Sequence, residues 1–181
     1  MRIPVKLIER IVDRITEELT AKRYIEAEDI NQFRENVFKI IKEAIEEEKE
    51  LVREAEKLVE ENINKIDEEI SFRDAVRKVK QVLAEKKGIH LDPEERMNQV
   101  AHRIKKYIEE DDSIEIFEHP NKIRKKIFYI LRDLVKEEKE IDREVRRRIR
   151  SYSRKIIEGT AEWNILYEKI YKEILRRKGL E

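Results

Sequence analysis

Ile40-Ile41-Lys42-Glu43-Ala44-Ile45 is answered 90 residues later by Ile130-Leu131-Arg132-Asp133-Leu134-Val135, and Glu47-Glu48-Lys49-Glu50-Leu51 by Glu137-Glu138-Lys139-Glu140-Ile141. Further along, Arg53-Glu54 returns as Arg143-Glu144, and Lys86-Lys87-Gly88-Ile89 as Arg177-Lys178-Gly179-Leu180. Similarity spread over a whole half is the signature of one structural unit duplicated and fused. The expectation is an all-α tandem duplication, residues 1–90 and 91–181 packed as one unit. Each half is one long helix flanked by two shorter ones, and the halves are related by a pseudo-two-fold axis.

Ile40 to Leu51 sits inside the first long helix. From Ile30 to Ile66 there is no Gly and no Pro. At about 100° per residue, Val37, Ile41, Ala44, Leu51, Val52, Ala55, Val59 and Ile66 project in nearly one direction. The stripe skips one turn at Glu48 and resumes in phase, so it predicts one helix of roughly 35 residues, about 50 Å long; a kink at Glu48 is the alternative. Ile127, Leu131, Leu134, Ile141, Val145, Ile149, Tyr152 and Ile156 repeat the phase and skip a turn at Glu138, where the same alternative stands.

The punctuation marks the other helices. Pro4 suits a first turn, and Val5, Ile8, Ile11, Val12, Ile15 and Leu19 follow at spacings of three and four. Tyr24 to Glu28 reads as a loop, and Asp29 as the cap of the long helix. Ser71 caps a third helix whose apolar face is Phe72, Ala75, Val76, Val79, Val82 and Leu83, and Gly88 closes it. Asp92-Pro93-Glu94-Glu95 opens the second half. Met97, Val100, Ile104 and Ile108 match the first helix, Pro120 opens the second long helix, and Gly159-Thr160 precedes the last helix.

Composition narrows the function classes. The 42 Lys/Arg and 42 Asp/Glu balance, so no net charge draws the chain to nucleic acid or acidic lipid. The halves differ slightly: residues 1–90 hold 19 basic and 22 acidic side chains, and residues 91–181 hold 23 and 20. Charged residues make up 46% of the chain, a thermophile-like composition. There is no cysteine, which removes disulfides, thiolate metal sites and cysteine nucleophiles. No apolar run approaches the ~20 residues of a membrane span, and a cytoplasmic location is expected.

Lys6-Leu7-Ile8-Glu9-Arg10-Ile11, Glu137 through Val145, and the ending Ile157-Glu158-Gly159-Thr160-Ala161-Glu162-Trp163 through Arg177-Lys178-Gly179-Leu180 together resemble the bacterial family catalogued as domain of unknown function 507. The resemblance runs over the whole chain and implies an all-helical protein. It implies no activity, substrate or catalytic residue.

Arg143, Arg146, Arg147, Arg150 and Arg154 are the candidate binding residues. Their spacing puts five guanidinium groups within about 60° of one helix face, opposite Ile141, Val145 and Ile149, and such a face suits phosphates or another acidic partner. The matching positions Arg53, Glu56, Lys57, Glu60 and Asn64 are mixed, so the fold does not require the stripe. The blander reading is a solvated face partly neutralised by Glu140 and Glu144. His119 with Glu115, Asp111, Asp112 and Glu118 is too sparse for a carboxylate-bridged metal site, since no Glu-x-x-His occurs, and it reads as a loop at a helix start. Ser71, Ser113, Ser151 and Ser153 lack a glycine elbow. Trp163 and Tyr167 match Phe72 and Val76 and are expected in the core; Tyr171 matches Lys80 and is expected at the surface. The sequence therefore points to a non-enzymatic scaffold or protein-interaction module, with a protein partner or self-association. Nucleic-acid or acidic-partner binding through the arginine stripe is the alternative. No cofactor, metal, membrane or small-molecule substrate is expected.

Overall fold

In the computed structural model, which describes residues 2–65 and 69–181, six α-helices and one two-stranded ribbon follow the chain. They are α1 (Val5–Ala21), β1 (Ile25–Ala27), α2 (Ile30–Glu61), α3 (Phe72–Lys87), α4 (Pro93–Glu110), β2 (Ile114–Ile116), α5 (Pro120–Arg150) and α6 (Ala161–Lys178). A 3₁₀ turn, Ile63–Lys65, follows α2.

The helix starts obey their caps. Asp29 accepts from the amides of Asn31 and Gln32, Ser71 from Asp74, Asp92 from Glu95, and Thr160 from Trp163, each satisfying amides that a first turn leaves unpaired. His119 Nδ1 accepts from the Asn121 amide and caps α5, with Pro120 in the first turn. Gly88 and Gly179 close α3 and α6 at φ of 68° and 70°, a backbone region that costs glycine little.

Both long helices run unbroken through Glu48 and Glu138. Both end earlier than the apolar stripe implies, and Ile66 lies outside the described residues. Asn62 Nδ2 donates back to the Leu58 carbonyl, and Ser151 Oγ to that of Arg148. Such side-chain bonds compete with the helix ladder and stop it. Tyr152 and Ile156, read as part of the α5 stripe, therefore lie in the following loop.

The expected loop at Tyr24–Glu28 contains a strand. β1 pairs antiparallel with β2 in the register Ile25 with Ile116, Glu26 with Glu115, Ala27 with Ile114. Two further bonds flank the ladder: Glu28 N–H to Ser113 O at 3.1 Å and Phe117 N–H to Tyr24 O at 2.9 Å. Three residues are too few to show alternation, and each strand exists only because the other is there.

Four helices form the centre. α1 runs antiparallel to α5, since Arg14 bonds Asp133 and Glu18, one turn on, pairs with Lys126. α4 runs antiparallel to α2, with Arg96 at Ala44 and Glu47, and Tyr107 at Asn36. It is antiparallel to α5 as well, through Asn98 with Arg124 and Lys105 with Asn121. α2 and α5 thus run in the same direction, and one continuous core joins both halves through Ile8, Ile15, Leu19, Val37, Ile41, Val100, Ile104, Ile127 and Leu131.

Beyond Glu47 and Glu137 the long helices leave the same end of this centre as two arms. About 14 residues of α2 extend roughly 20 Å past it, paired with α3; the end of α5 is paired with α6. The first arm is thinly filled: its buried apolar side chains among the described residues are Leu51, Ala55 and Val59 on α2 and Ala75 and Ala84 on α3. Phe72 and Val82, read as core, are 46% and 52% exposed, because small alanines let the helices meet along a narrow seam.

Candidate functional site

The second arm carries the arginines, but not as one stripe. Arg143, Arg146, Arg147 and Arg150 lie on α5; Arg154 lies in the loop 151–160, because Ser151 ends the helix before it. Arg146 is half-buried and engaged. Its Nε donates to Asp142 Oδ2 at 2.9 Å, its Nη1 lies 3.1 Å from Glu158, and its guanidinium sits 5.3 Å from the Trp163 ring centre. Burial alone would lower its pKa; the Asp142 and Glu158 carboxylates outweigh that and raise it. Arg154 is ion-paired with Glu162. Arg143, Arg147 and Arg150 have no ion-pair partner among the described residues. Glu144, expected to neutralise the stripe, is instead held by Arg177 and Arg148.

Three of the five do converge. Arg146, Arg150 and Arg154, with Lys155, line a cleft of about 460 Å³ between the end of α5, the loop and the start of α6, together with Ile149 and Trp163. Local sequence shapes it. Gly159 takes φ of 89°, and Thr160 both donates to Ile157 O and caps α6, which fixes Trp163 at the cleft. Arg143 and Arg147 face a separate shallow dent beside Glu140 and Glu144.

Behind the cleft an aromatic ladder runs along α6. Trp163, Tyr167 and Tyr171 have ring centres 5.1 and 6.1 Å apart. Trp163 and Tyr167 are partly buried against the core. Tyr171, expected at the surface, is 4% exposed. Arg2 explains this: its guanidinium lies 3.8 Å from the Tyr171 ring centre and pairs with Glu168, a cover that comes from the other end of the chain. Tyr167 donates to Asp142 Oδ1 at 2.6 Å, and burial followed by this carboxylate pushes its phenol far above the ordinary value.

The corresponding place on the first arm, between the end of α2 and α3, is an apolar groove of about 500 Å³ lined by Leu58, Val59, Ile70, Ala75 and Val79, among others. Of the ten exposed large hydrophobic residues among the described residues, six cluster at the two arm ends: Leu58, Ile63 and Phe72 on one, Tyr152, Ile157 and Ile165 on the other. Isolated exposed hydrophobics are ordinary; clustering is what marks a contact surface. The arm ends also oppose each other in charge. Among the described residues of 53–72, five acidic and three basic side chains give a net of −2; the matching residues 143–162, 90 positions on, hold three and seven, a net of +4.

Elsewhere the sequence candidates serve the fold. His119 is a helix cap, Glu115 faces Glu26 across the ribbon, and Asp111 accepts from the Ser113 amide and hydroxyl. Among the described residues no three His, Asp or Glu side chains come together to hold a metal ion. No helix there is long and apolar enough to cross a membrane. A feature not legible in the sequence is Arg96, 1% exposed, which donates to Ala44 O, Glu47 and Gln99. Nothing in Arg96-Met97 distinguishes it from a surface arginine.

Fold and surface together define a helical protein with a four-helix centre and two unlike arms. The chain belongs to the family described as protein of unknown function (DUF507), whose model matches residues 1–180. No curated protein matches the sequence.

Proposed function

We propose that the protein is a non-enzymatic scaffold, built from two fused copies of one helical unit, that binds a protein partner through its arm ends. The duplication is supported by the ribbon. A shift of 89 residues turns the pair Ile25–Ile116 into the pair Ile114–Ala27 and maps Glu26 onto its own partner Glu115. It also turns the bond from Glu28 N–H to Ser113 O into that from Phe117 N–H to Tyr24 O. A two-fold axis through this ribbon accounts for both exchanges. Ser71 with Thr160, and Gly88 with Gly179, cap equivalent helices.

The observation that carries the interaction reading is the clustering of exposed apolar side chains at the two arm ends, away from the well-filled centre. Among the described residues, neither arm-end cleft is lined by a pair of buried carboxylates, the feature that would favour an enzyme reading. A photo-cross-linking amino acid at Phe72 or Ile165 tests the proposal in cells. Cross-links to protein from these positions, and not from exposed Tyr129 on the centre, are expected. Equal yields at all three positions, or none at either arm end, refute it.

A further inference from the structure

We propose that the partner at the arm ends is a second copy of this chain, with the acidic arm of each copy seated on the basic arm of the other. The inference rests on the scaffold reading above and adds the identity of the occupant. Its ground is complementarity between two surfaces of one molecule. Over matched windows of the two halves the balance inverts, −2 for the described residues of 53–72 against +4 for residues 143–162. The inversion falls on equivalent positions: a shift of 90 residues takes Glu56 to Arg146 and Glu60 to Arg150.

The groups concerned are free to be used. Glu56 and Glu60 on one arm, and Arg147, Arg150 and Lys155 on the other, are exposed and have no ion-pair partner among the described residues. Charge alone would give a weak, salt-sensitive contact. Each arm end adds apolar area: Ile63 and Phe72 are 58% and 46% exposed, Ile157 and Ile165 63% and 70%. Apolar centres with a complementary charged surround are the usual make-up of a specific interface.

Geometry sets the stoichiometry. The arms leave the same end of the centre, so two copies facing each other make two acidic-to-basic contacts at once. That arrangement closes as a two-fold dimer. The second contact forms within the already joined pair and reinforces the first.

Sedimentation velocity of the full chain, from about 1 to about 200 µM in about 50 mM salt, tests this, with a repeat at about 500 mM where exposed charges are screened. The expected result is a rise from 22.1 kDa toward twice that mass, reversed in part by salt. Glu56→Lys with Glu60→Lys, and separately Arg147→Glu with Arg150→Glu, should each weaken association by about tenfold or more. All four substitutions in one chain restore the complementarity with the charges exchanged, and mixing the two doubly substituted proteins does the same. Circular dichroism and melting serve as the folding control for every variant.

A native chain that stays monomeric throughout overturns the inference. So does association that ignores either charge reversal, or a folded fourfold variant that fails to recover it. A monomer that binds inorganic phosphate or a single-stranded oligonucleotide through Arg150 assigns the cleft to phosphate and overturns it equally. The two readings fail separately: cross-links from Phe72 to a different protein, with the chain monomeric, sink the self-association alone.

Discussion

Replacing Arg96 by alanine should cost about 3 kcal/mol of folding stability, and replacing it by methionine under about 1 kcal/mol. The side chain is 1% exposed and crosses from α4 to α2, donating to Ala44 O at 3.0 Å, Glu47 Oε2 at 2.9 Å and Gln99 Oε1 at 3.1 Å. Removing one member of a buried ion pair is usually severe, about 3–5 kcal/mol, because the other charge is stranded. Here Glu47 is not stranded. Arg103 holds both its oxygens at 2.9 and 2.8 Å, and its side chain keeps 42% exposure to water. What alanine removes is mainly the packed stem, which leaves a cavity, and charged hydrogen bonds worth about 1.5–3 kcal/mol each before compensation. Methionine refills most of that volume with no charge to desolvate. The first half already shows this solution, since the equivalent position is Leu7, 7% exposed. For a chain of this length 3 kcal/mol lowers the melting temperature by about 6–12 °C. Urea unfolding at neutral pH measures both variants, with an unchanged slope as the check on two-state behaviour. A methionine variant as unstable as the alanine variant, or an alanine variant within about 1 kcal/mol of native, would refute the packing account.

Glu138→Gln should stabilise the protein at neutral pH and leave it unchanged near pH 4. Burial raises the Glu138 carboxyl above its ordinary value, and Asp142 and Glu48 add to the effect. A raised folded-state pKa favours folding at low pH, and that contribution is lost as pH rises through it; melting curves at the two pH values decide the matter. Tyr167→Phe should cost about 1–2 kcal/mol at pH 7 by removing the bond to Asp142. Since the folded-state pKa of Tyr167 lies above the unfolded one, native stability should fall as pH climbs past about 10, and less steeply in the variant; a phenylalanine chain with the native slope would count against it. Gly88→Ala should cost about 1 kcal/mol through the left-handed backbone alone, because an added Cβ meets nothing within 4 Å. A loss several times larger in a thermal melt would reveal a packing role the structure lacks.

How much was legible can be followed residue by residue. The in-phase stripes through Glu48 and Glu138 mark two unbroken helices, and Asp29, Ser71, Asp92 and Thr160 mark starts that the backbone bonds bear out. The stops were harder to read. Asn62 and Ser151 end the long helices with local side-chain bonds, while apolar spacing alone carries on to Ile66 and Ile156. The candidate arginines were legible as a set of residues and not as a shape. Spacing put Arg154 on a helix it does not join, left Lys155 unremarked, and treated Arg146 as free when Asp142, Glu158 and Trp163 all engage it.

Helix positions, capping chemistry and the family can be read along the chain, because these depend on periodicity and on neighbours three or four residues apart. The pairing of two short segments 89 residues apart as a ribbon, the interior place of Arg96 and the cover of Arg2 over Tyr171 emerge only when the chain folds. Each of those requires residues remote in the chain to meet, and burial of a polar side chain is favourable only when its distant acceptors are already in place. A one-dimensional pattern records which face of a helix avoids water; it does not record which other face arrives to cover it.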